Sequence, residues 1–396
     1  GVTLATEDDS NFVKVHDQSV IAGKKRLYMT ATPRIFNDNV KAKADEKDAI
    51  LCSMDDETKF GKDFAYISFD WAVRKGLLAD YKVIVLAVDE GVVNAGTQRR
   101  LADASNNLKL DDATKIIGCY KALTKETLKA DVGTDINPMR RALAFCQSIQ
   151  SSKDVCNEFE AVIDEYLAEI GDDDEDLAGA PRLRCELAHV DGTFNAKSRT
   201  ERLNWLKSDA GDDTCRILSN ARCLSEGVDV PALDAIMFMH PRKSQIDVIQ
   251  SVGRVMRKAQ GKNMGYVILP VAIAPGTSAE QALSDNERYK VIWQILNALR
   301  AHDERFDAMI NRASLGEDIS DKIEITAIVK DLPTRSQPEK QGANIGEGSS
   351  HTERDVDGTE LEIPITPSQG ELDLFIDEFS KAVLARIVKK CGAGDY

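Results

Sequence analysis

The stretch Gln250-Ser251-Val252-Gly253-Arg254-Val255-Met256-Arg257 holds the residues whose types and spacing best suit chemistry. Ser244 with Asp247 three positions on forms a capping box, which predicts a helix over 244–258. On that helix Gln250, Arg254 and Arg257 fall at i, i+4 and i+7, on one face, while Ile246, Ile249 and Met256 serve another. Two arginines on one face, beside a glycine that permits close approach, suit bidentate capture of a phosphate. The same geometry serves an arginine finger on a transferring phosphoryl group. The plain alternative is a solvated basic face, which is what most isolated Arg-x-x-Arg pairs are.

Two further tracts stand where ligands bind in α/β proteins. Ser219-Asn220-Ala221-Arg222-Cys223-Leu224-Ser225-Glu226-Gly227-Val228-Asp229-Val230-Pro231 follows an apolar run directly, at the carboxyl end of an expected strand. Ser219 and Asn220 can donate to a phosphate backbone, Gly227 permits a tight turn, and Asp229 can accept from a sugar hydroxyl; a turn-rich loop is the alternative. Thr30-Ala31-Thr32-Pro33 ends another expected strand, Arg26–Thr30. Its hydroxyls can relay between a phosphate and the rest of the protein or simply cap a turn.

The elements that must position these residues alternate. Lys82–Val88, Ala142–Cys146, Cys215–Leu218, Ala235–Met239 and Tyr266–Leu269 are short apolar runs, expected as strands of a parallel sheet covered on both faces. Helical patterns at 152–169, 198–207 and 244–258 separate them, so the fold class is α/β: a doubly wound parallel sheet flanked by helices, then a mainly helical C-terminal region. Tyr289, Ile292, Trp293, Leu296 and Leu299 recur at helical spacing, as a packing stripe. The expected domains are 1–88 and 137–275, joined by a helical connector over 89–136. A helical region over 276–332, a linker over 333–370 and a last helix over 371–396 follow.

Composition narrows the class. With 396 residues, 42% hydrophobic and 30% charged, the chain is a multidomain globular protein. No apolar run reaches the roughly 18 residues that span a bilayer, so no membrane partner is expected. Eight cysteines show no Cys-x-x-Cys pair and no zinc-finger spacing, so a reduced, cytoplasmic chain without a metal site is expected. A net charge of −15 argues against a protein that merely coats nucleic acid. It leaves room for an enzyme with a local basic track, such as 240–262, where Arg242, Lys243, Arg254, Arg257, Lys258 and Lys262 face the single acid Asp247.

In combination and order, Thr-Ala-Thr-Pro, the Phe145-Cys146 strand, the Ser219–Pro231 tract and Gln250–Arg257 resemble motifs III to VI of superfamily 2 helicases and translocases. Arg26–Arg34 and Ala65–Val73 are similar to the motor of large bacterial restriction enzymes and related helicases, and the stretch from Asn286 to Asp303 is similar to the helices after the motor in type ISP restriction–modification enzymes. The resemblance implies that the parallel sheet is RecA-like. The resemblance covers roughly residues 10–310. It implies an ATP-dependent DNA motor with Arg254, Arg257 and Gln250 at the γ-phosphate and Gly227 and Asp229 lining the nucleotide. It also implies Ser219, Asn220 and Arg222 on DNA, and Thr30, Ala31 and Thr32 coupling hydrolysis to closure.

No Gly-Lys pair continues as Gly-Lys-Thr/Ser: Gly23-Lys24 precedes Lys25, Gly61-Lys62 precedes Asp63, and Gly261-Lys262 precedes Asn263. Asp89-Glu90 comes after Thr-Ala-Thr-Pro, where the family places its magnesium acids before, and is expected to be the exit from a strand. The chain is therefore expected to be part of a larger polypeptide whose N-terminal half binds ATP and magnesium. Neither is expected on this chain alone. The rival reading is a non-catalytic helicase-like module that binds nucleic acid or a partner.

Overall fold

A computed structural model describes residues 18–30, 53–102, 108–125, 137–173, 182–221, 230, 232–240, 245–276, 289–313, 322–328 and 369–392. The chain divides into two compact units, Gly1–Ser68 and Phe69–Tyr396. In the first, Asp56 caps helix α1 (Glu57–Phe60) by accepting the Thr58 N–H at 3.0 Å, and Tyr28 meets Phe60 edge-on. The strand expected over Arg26–Thr30 is not formed. Leu27 and Met29 stand 67% and 85% exposed, and a strand with neither a covered face nor a paired edge has nothing to hold it.

The second unit is built on a seven-stranded, all-parallel sheet. In chain order the strands are β1 (Asp80–Asp89), β2 (Arg141–Phe145), β3 (Arg184–Asp191), β4 (Thr214–Ala221), β5 (Ala235–Phe238), β6 (Met264–Ile273) and β7 (Ile323–Ile328). They lie side by side as β3-β4-β2-β5-β6-β1-β7. Alternation along β1 shows the layering: Tyr81, Val83, Val85 and Ala87 join one buried cluster, while Ile84, Leu86 and Val88 join the other. One face carries α4 (Leu110–Thr124) and α5 (Ile149–Asp173). The other carries α7 (Gln245–Val255), α8 (Lys290–His302), α9 (Glu304–Ala313) and α10 (Gln369–Gly392). Shorter helices α2 (Phe69–Arg74), α3 (Ala95–Leu101) and α6 (Ala196–Lys207) complete the set.

Three expected boundaries are corrected. β1 pairs with β6 along its whole length, from Asp80 opposite Met264 to Asp89 opposite Ile273, so the run 82–88 belongs to the same sheet as 137–275. The connector expected over 89–136 is also part of this domain, because Ile116, Ile117, Tyr120 and Leu123 of α4 are buried against the sheet. Within the helical region expected over 276–332, residues 323–328 form the edge strand β7. An apolar run buried on both faces needs neighbours on both sides, and here β6 and β7 supply them.

Two glycines set the spacing of the layers. A Cβ on Gly118 of α4 would stand 2.5 Å from Val88 Cγ2, so the helix lies directly on β1. A Cβ on Gly265 would stand 2.3 Å from the carbonyl oxygen of Val255, where β6 starts beside the end of α7. Asp89, expected as a strand exit, accepts the Gly91 N–H at 2.7 Å and caps the turn Glu90–Val92. Polar anchors fasten the C-terminal elements. Arg305 of α9 grips both carboxylate oxygens of Asp80 at 3.1 Å, and the Tyr81 hydroxyl donates to buried Asp303 at 2.9 Å.

Candidate functional site

Helix α7 begins after β5, at the carboxyl edge of the sheet, and eleven residues (about 16 Å at the usual rise) carry it back to the amino edge. Gln250 and Arg254 lie on it four residues apart, and Arg254 is only 6% exposed. Gln250 Oε1 is buried with no hydrogen-bond partner among the described residues. Arg257 does not share their helical face as expected, because the helix ends at Val255. Beyond it, Arg257 pairs antiparallel with Leu78, and the Ala79 N–H donates to the Met256 carbonyl at 2.7 Å. The carbonyls that would continue the helix have partners outside it. A Cβ on Gly253 would meet nothing within 4 Å, so there is open space at that point of the helix.

Lys262 completes this amino-edge cluster. Its ammonium donates to the carbonyls of Leu233, Val255 (2.5 Å) and Arg257 (3.1 Å). Burial, opposed by the Asp234 carboxylate, lowers its pKa to about 8. In the sequence Lys262 is only part of a Gly-Lys pair that fails as a phosphate loop, and a member of a basic track. Nothing in the residue pattern shows that three backbone oxygens converge on it.

The expected DNA-facing pair sits elsewhere and is turned inward. Ser219 and Asn220, at the carboxyl end of β4, are fully buried. Ser219 Oγ lies 2.6 Å from Ser152 Oγ, whose other neighbour is His189 Nδ1 at 2.7 Å. His189 Nε2 in turn stands 2.9 Å from Asp191 Oδ2. Asn220 Nδ2 donates to the Ala144 carbonyl at 3.0 Å, and its Oδ1 has no partner among the described residues. These groups tie the carboxyl ends of β2, β3 and β4 to the start of α5, which corrects the expectation that they stand ready for phosphate. Most polar groups in a sheet interior are paired, with protein or with ordered water. Hydrogen bonds from Thr193 first, then from His189, hold the Asp191 carboxyl at a pKa of about 2.

A second buried set marks the same edge after β5. His240 Nε2 stands 3.1 Å from Asp112 Oδ1 on α4, and Lys115 donates to the Met239 carbonyl at 3.1 Å. Neither His189 nor His240 stands out in the sequence, where a lone histidine carries no signal. Arg222, Gly227 and Asp229, and Ala31 and Thr32 of the coupling motif, lie outside the described residues, as do Arg242 and Lys243. Thr30 is described, in the first unit.

The structure therefore separates the expected site into two places: Arg254, Arg257 and Lys262 at the amino edge, and Ser219 and Asn220 a strand's length away at the carboxyl edge. The two arginines are of a residue type that suits a phosphate. Lys262 beside them is engaged with backbone carbonyls. No three His, Cys, Asp or Glu side chains gather as a metal-ligand set among the described residues. No helix among them is long and apolar enough to cross a membrane.

The helix-flanked, all-parallel sheet is RecA-like in architecture. Residues 120–259 match the family model described as helicase conserved C-terminal domain. Among solved structures it is similar to the ATP-dependent type ISP restriction–modification enzyme LlaBIII bound to DNA. Identity is 35%, the TM-score is 0.71, and the match covers 97% of this chain and 22% of that one. A protein named as a probable helicase in African swine fever virus is 37% identical over 90 residues, 23% of this chain and 10% of the viral protein. A putative helicase of a Sulfolobus islandicus filamentous virus is 33% identical over 79 residues, 20% of this chain and 13% of that protein. The chain thus spans about a tenth of the curated relatives it matches and about a fifth of the solved enzyme.

Proposed function

We propose that this chain is the C-terminal part of an ATP-dependent DNA translocase motor of a restriction–modification enzyme. Arg254 and Arg257 would meet the γ-phosphate of ATP held with magnesium by an N-terminal half of the same polypeptide. The observation that carries this reading is the likeness to the type ISP enzyme, which extends over 97% of the chain at 35% identity. Gln250 would stand beside the arginines, and Gly227 and Asp229 would line the nucleotide. DNA would meet Arg222 and its neighbours at the carboxyl edge. The hydroxyl of Ser219 and the amide of Asn220 would hold that edge in shape. Thr30, Ala31 and Thr32 would couple hydrolysis to closure.

A finger supplies charge only where negative charge develops in the transition state, so its loss falls on turnover and not on the fold. In the enzyme that joins this chain to its ATP-binding half, Arg257→Ala should reduce DNA-stimulated hydrolysis by about a thousandfold or more. Its unfolding midpoint should stay near that of the parent. Near-normal turnover in the variant would refute the finger.

A further inference from the structure

One ammonium fastens the arginine-bearing turn to the body of the sheet. Val255 is the last residue of α7, Arg257 lies two residues beyond, and Leu233 precedes β5. Lys262 Nζ donates to the carbonyls of all three. An ammonium has three N–H donors, and three acceptors occupy them all. The lysine is therefore not offered to a ligand phosphate, although Gly-Lys is the dipeptide that phosphate loops use. The turn that aims it is built for the purpose. The Lys262 N–H donates to the Ala259 carbonyl at 3.2 Å, and Gly261 between them has φ +76°, a conformation that side-chain-bearing residues rarely adopt.

Residues 78 and 79 also hold the arginine-bearing turn. Leu78 bridges Arg257, and the Ala79 N–H donates to the Met256 carbonyl. Ala79 runs directly into β1, the strand paired to β6 along its full length. Arg257 is thus held by a strap that enters the sheet and by a lysine that reaches from the next turn. Its backbone position depends on both.

We infer that Lys262 is a positioning residue for the arginine turn: it fixes where Arg257 stands by donating to that residue's own carbonyl and tying it to the carbonyls of Val255 and Leu233. The inference rests on the finger reading and deepens it. Catalytic groups act over fractions of an ångström, and a misplacement of about 1 Å costs on the order of a hundredfold in rate.

Lys262→Met keeps most of the side-chain volume and removes every donor. In this chain alone, hydrogen exchange of the Ala79 and Arg257 amides should speed up in the variant by on the order of tenfold, with most of α4 and the central strands unchanged. In the joined enzyme, kcat for DNA-stimulated ATP hydrolysis should fall on the order of tenfold or more while KM for ATP stays within about twofold. The double variant with Arg257→Ala should be no slower than Arg257→Ala alone, because a misplaced finger and a missing one lose the same interaction. Unchanged amide exchange, or losses that simply add, would overturn the positioning role and leave the finger standing. If Arg257→Ala retains turnover, the finger reading falls and this inference with it. Should Lys262→Met fail to fold, Lys262→Gln, which keeps a donor of shorter reach, takes its place in the same measurements, and the same outcomes decide.

Discussion

At the residue scale, the buried polar groups show what a motif leaves unsaid. That Gln250, Arg254 and Arg257 stand at i, i+4 and i+7 of a helical pattern is legible in the sequence. That Arg257 leaves the helix is not, because it depends on Leu78, Ala79 and Lys262, which are distant in sequence or unremarkable in type. Ser219 and Asn220 read as surface donors because they follow an apolar run. Their burial depends on Ser152 and Ala144, which only the folded sheet brings near. Lys262 yields a pH test. Its folded pKa of about 8 lies below the ordinary value of 10.5. Below pH 8 both states hold the proton, and the cost of the buried charge is fully present. Between the two values the unfolded chain binds more protons, so this group's contribution to stability rises with pH and levels off above 10.5. Lys262→Met lacks that rise. The unfolding free energy of the parent minus that of the variant, from urea titrations at pH 7 and pH 10, should therefore increase by about 2–3 kcal/mol. A difference that stays flat or falls would show that Lys262 is not desolvated.

At the element scale, the strands found from sequence are the ones buried on both faces: β1, β2, β4, β5 and β6 each contain a continuous apolar run. The two that were missed are the sheet edges. β3 reads Arg184-Cys185-Glu186-Leu187-Ala188-His189-Val190-Asp191, and β7 interrupts its apolar residues with Glu324 and Thr326. Edge strands are partnered on one side only, and such mixed runs fall outside a rule built on apolar continuity. Glu324 becomes tolerable through Lys82 of β1, 2.8 Å away, a pairing no local pattern predicts. Close element packing separates two glycines that look alike in sequence. Gly265→Ala would drive a Cβ into the backbone of Val255 and should destabilise the fold by about 2–4 kcal/mol. Gly253→Ala meets open space within α7 and should be neutral or stabilising by up to about 1 kcal/mol, since alanine is the better helix former. If the space beside Gly253 admits a phosphate, the same change should depress DNA-stimulated turnover in the joined enzyme. Chemical denaturation of both variants checks the ordering, and equal costs would contradict the packing described.

At the scale of the whole molecule, the charge balance decides how this chain alone meets DNA. It carries 66 acidic and 51 basic residues. The basic track read from 240–262 is also thinner than its composition suggests, because Lys262 is engaged with carbonyls and Arg254 is buried. Each phosphate neutralised releases counterions, so the number of contacts sets both the affinity and its dependence on salt. Non-specific affinities of DNA-binding proteins fall around 10⁻⁴–10⁻⁶ M at physiological salt, and this chain should lie at about 10⁻⁴ M or weaker. The slope of log K against log salt should be no steeper than about −3, the mark of few contacts. Arg242→Ala with Lys243→Ala should weaken binding equally for every sequence, because phosphate contacts carry no base information. Titration of labelled duplexes of different sequence at several salt concentrations measures all three. Tight binding to one sequence, or a slope several units steeper, would mean that the chain carries a DNA-reading surface beyond these residues.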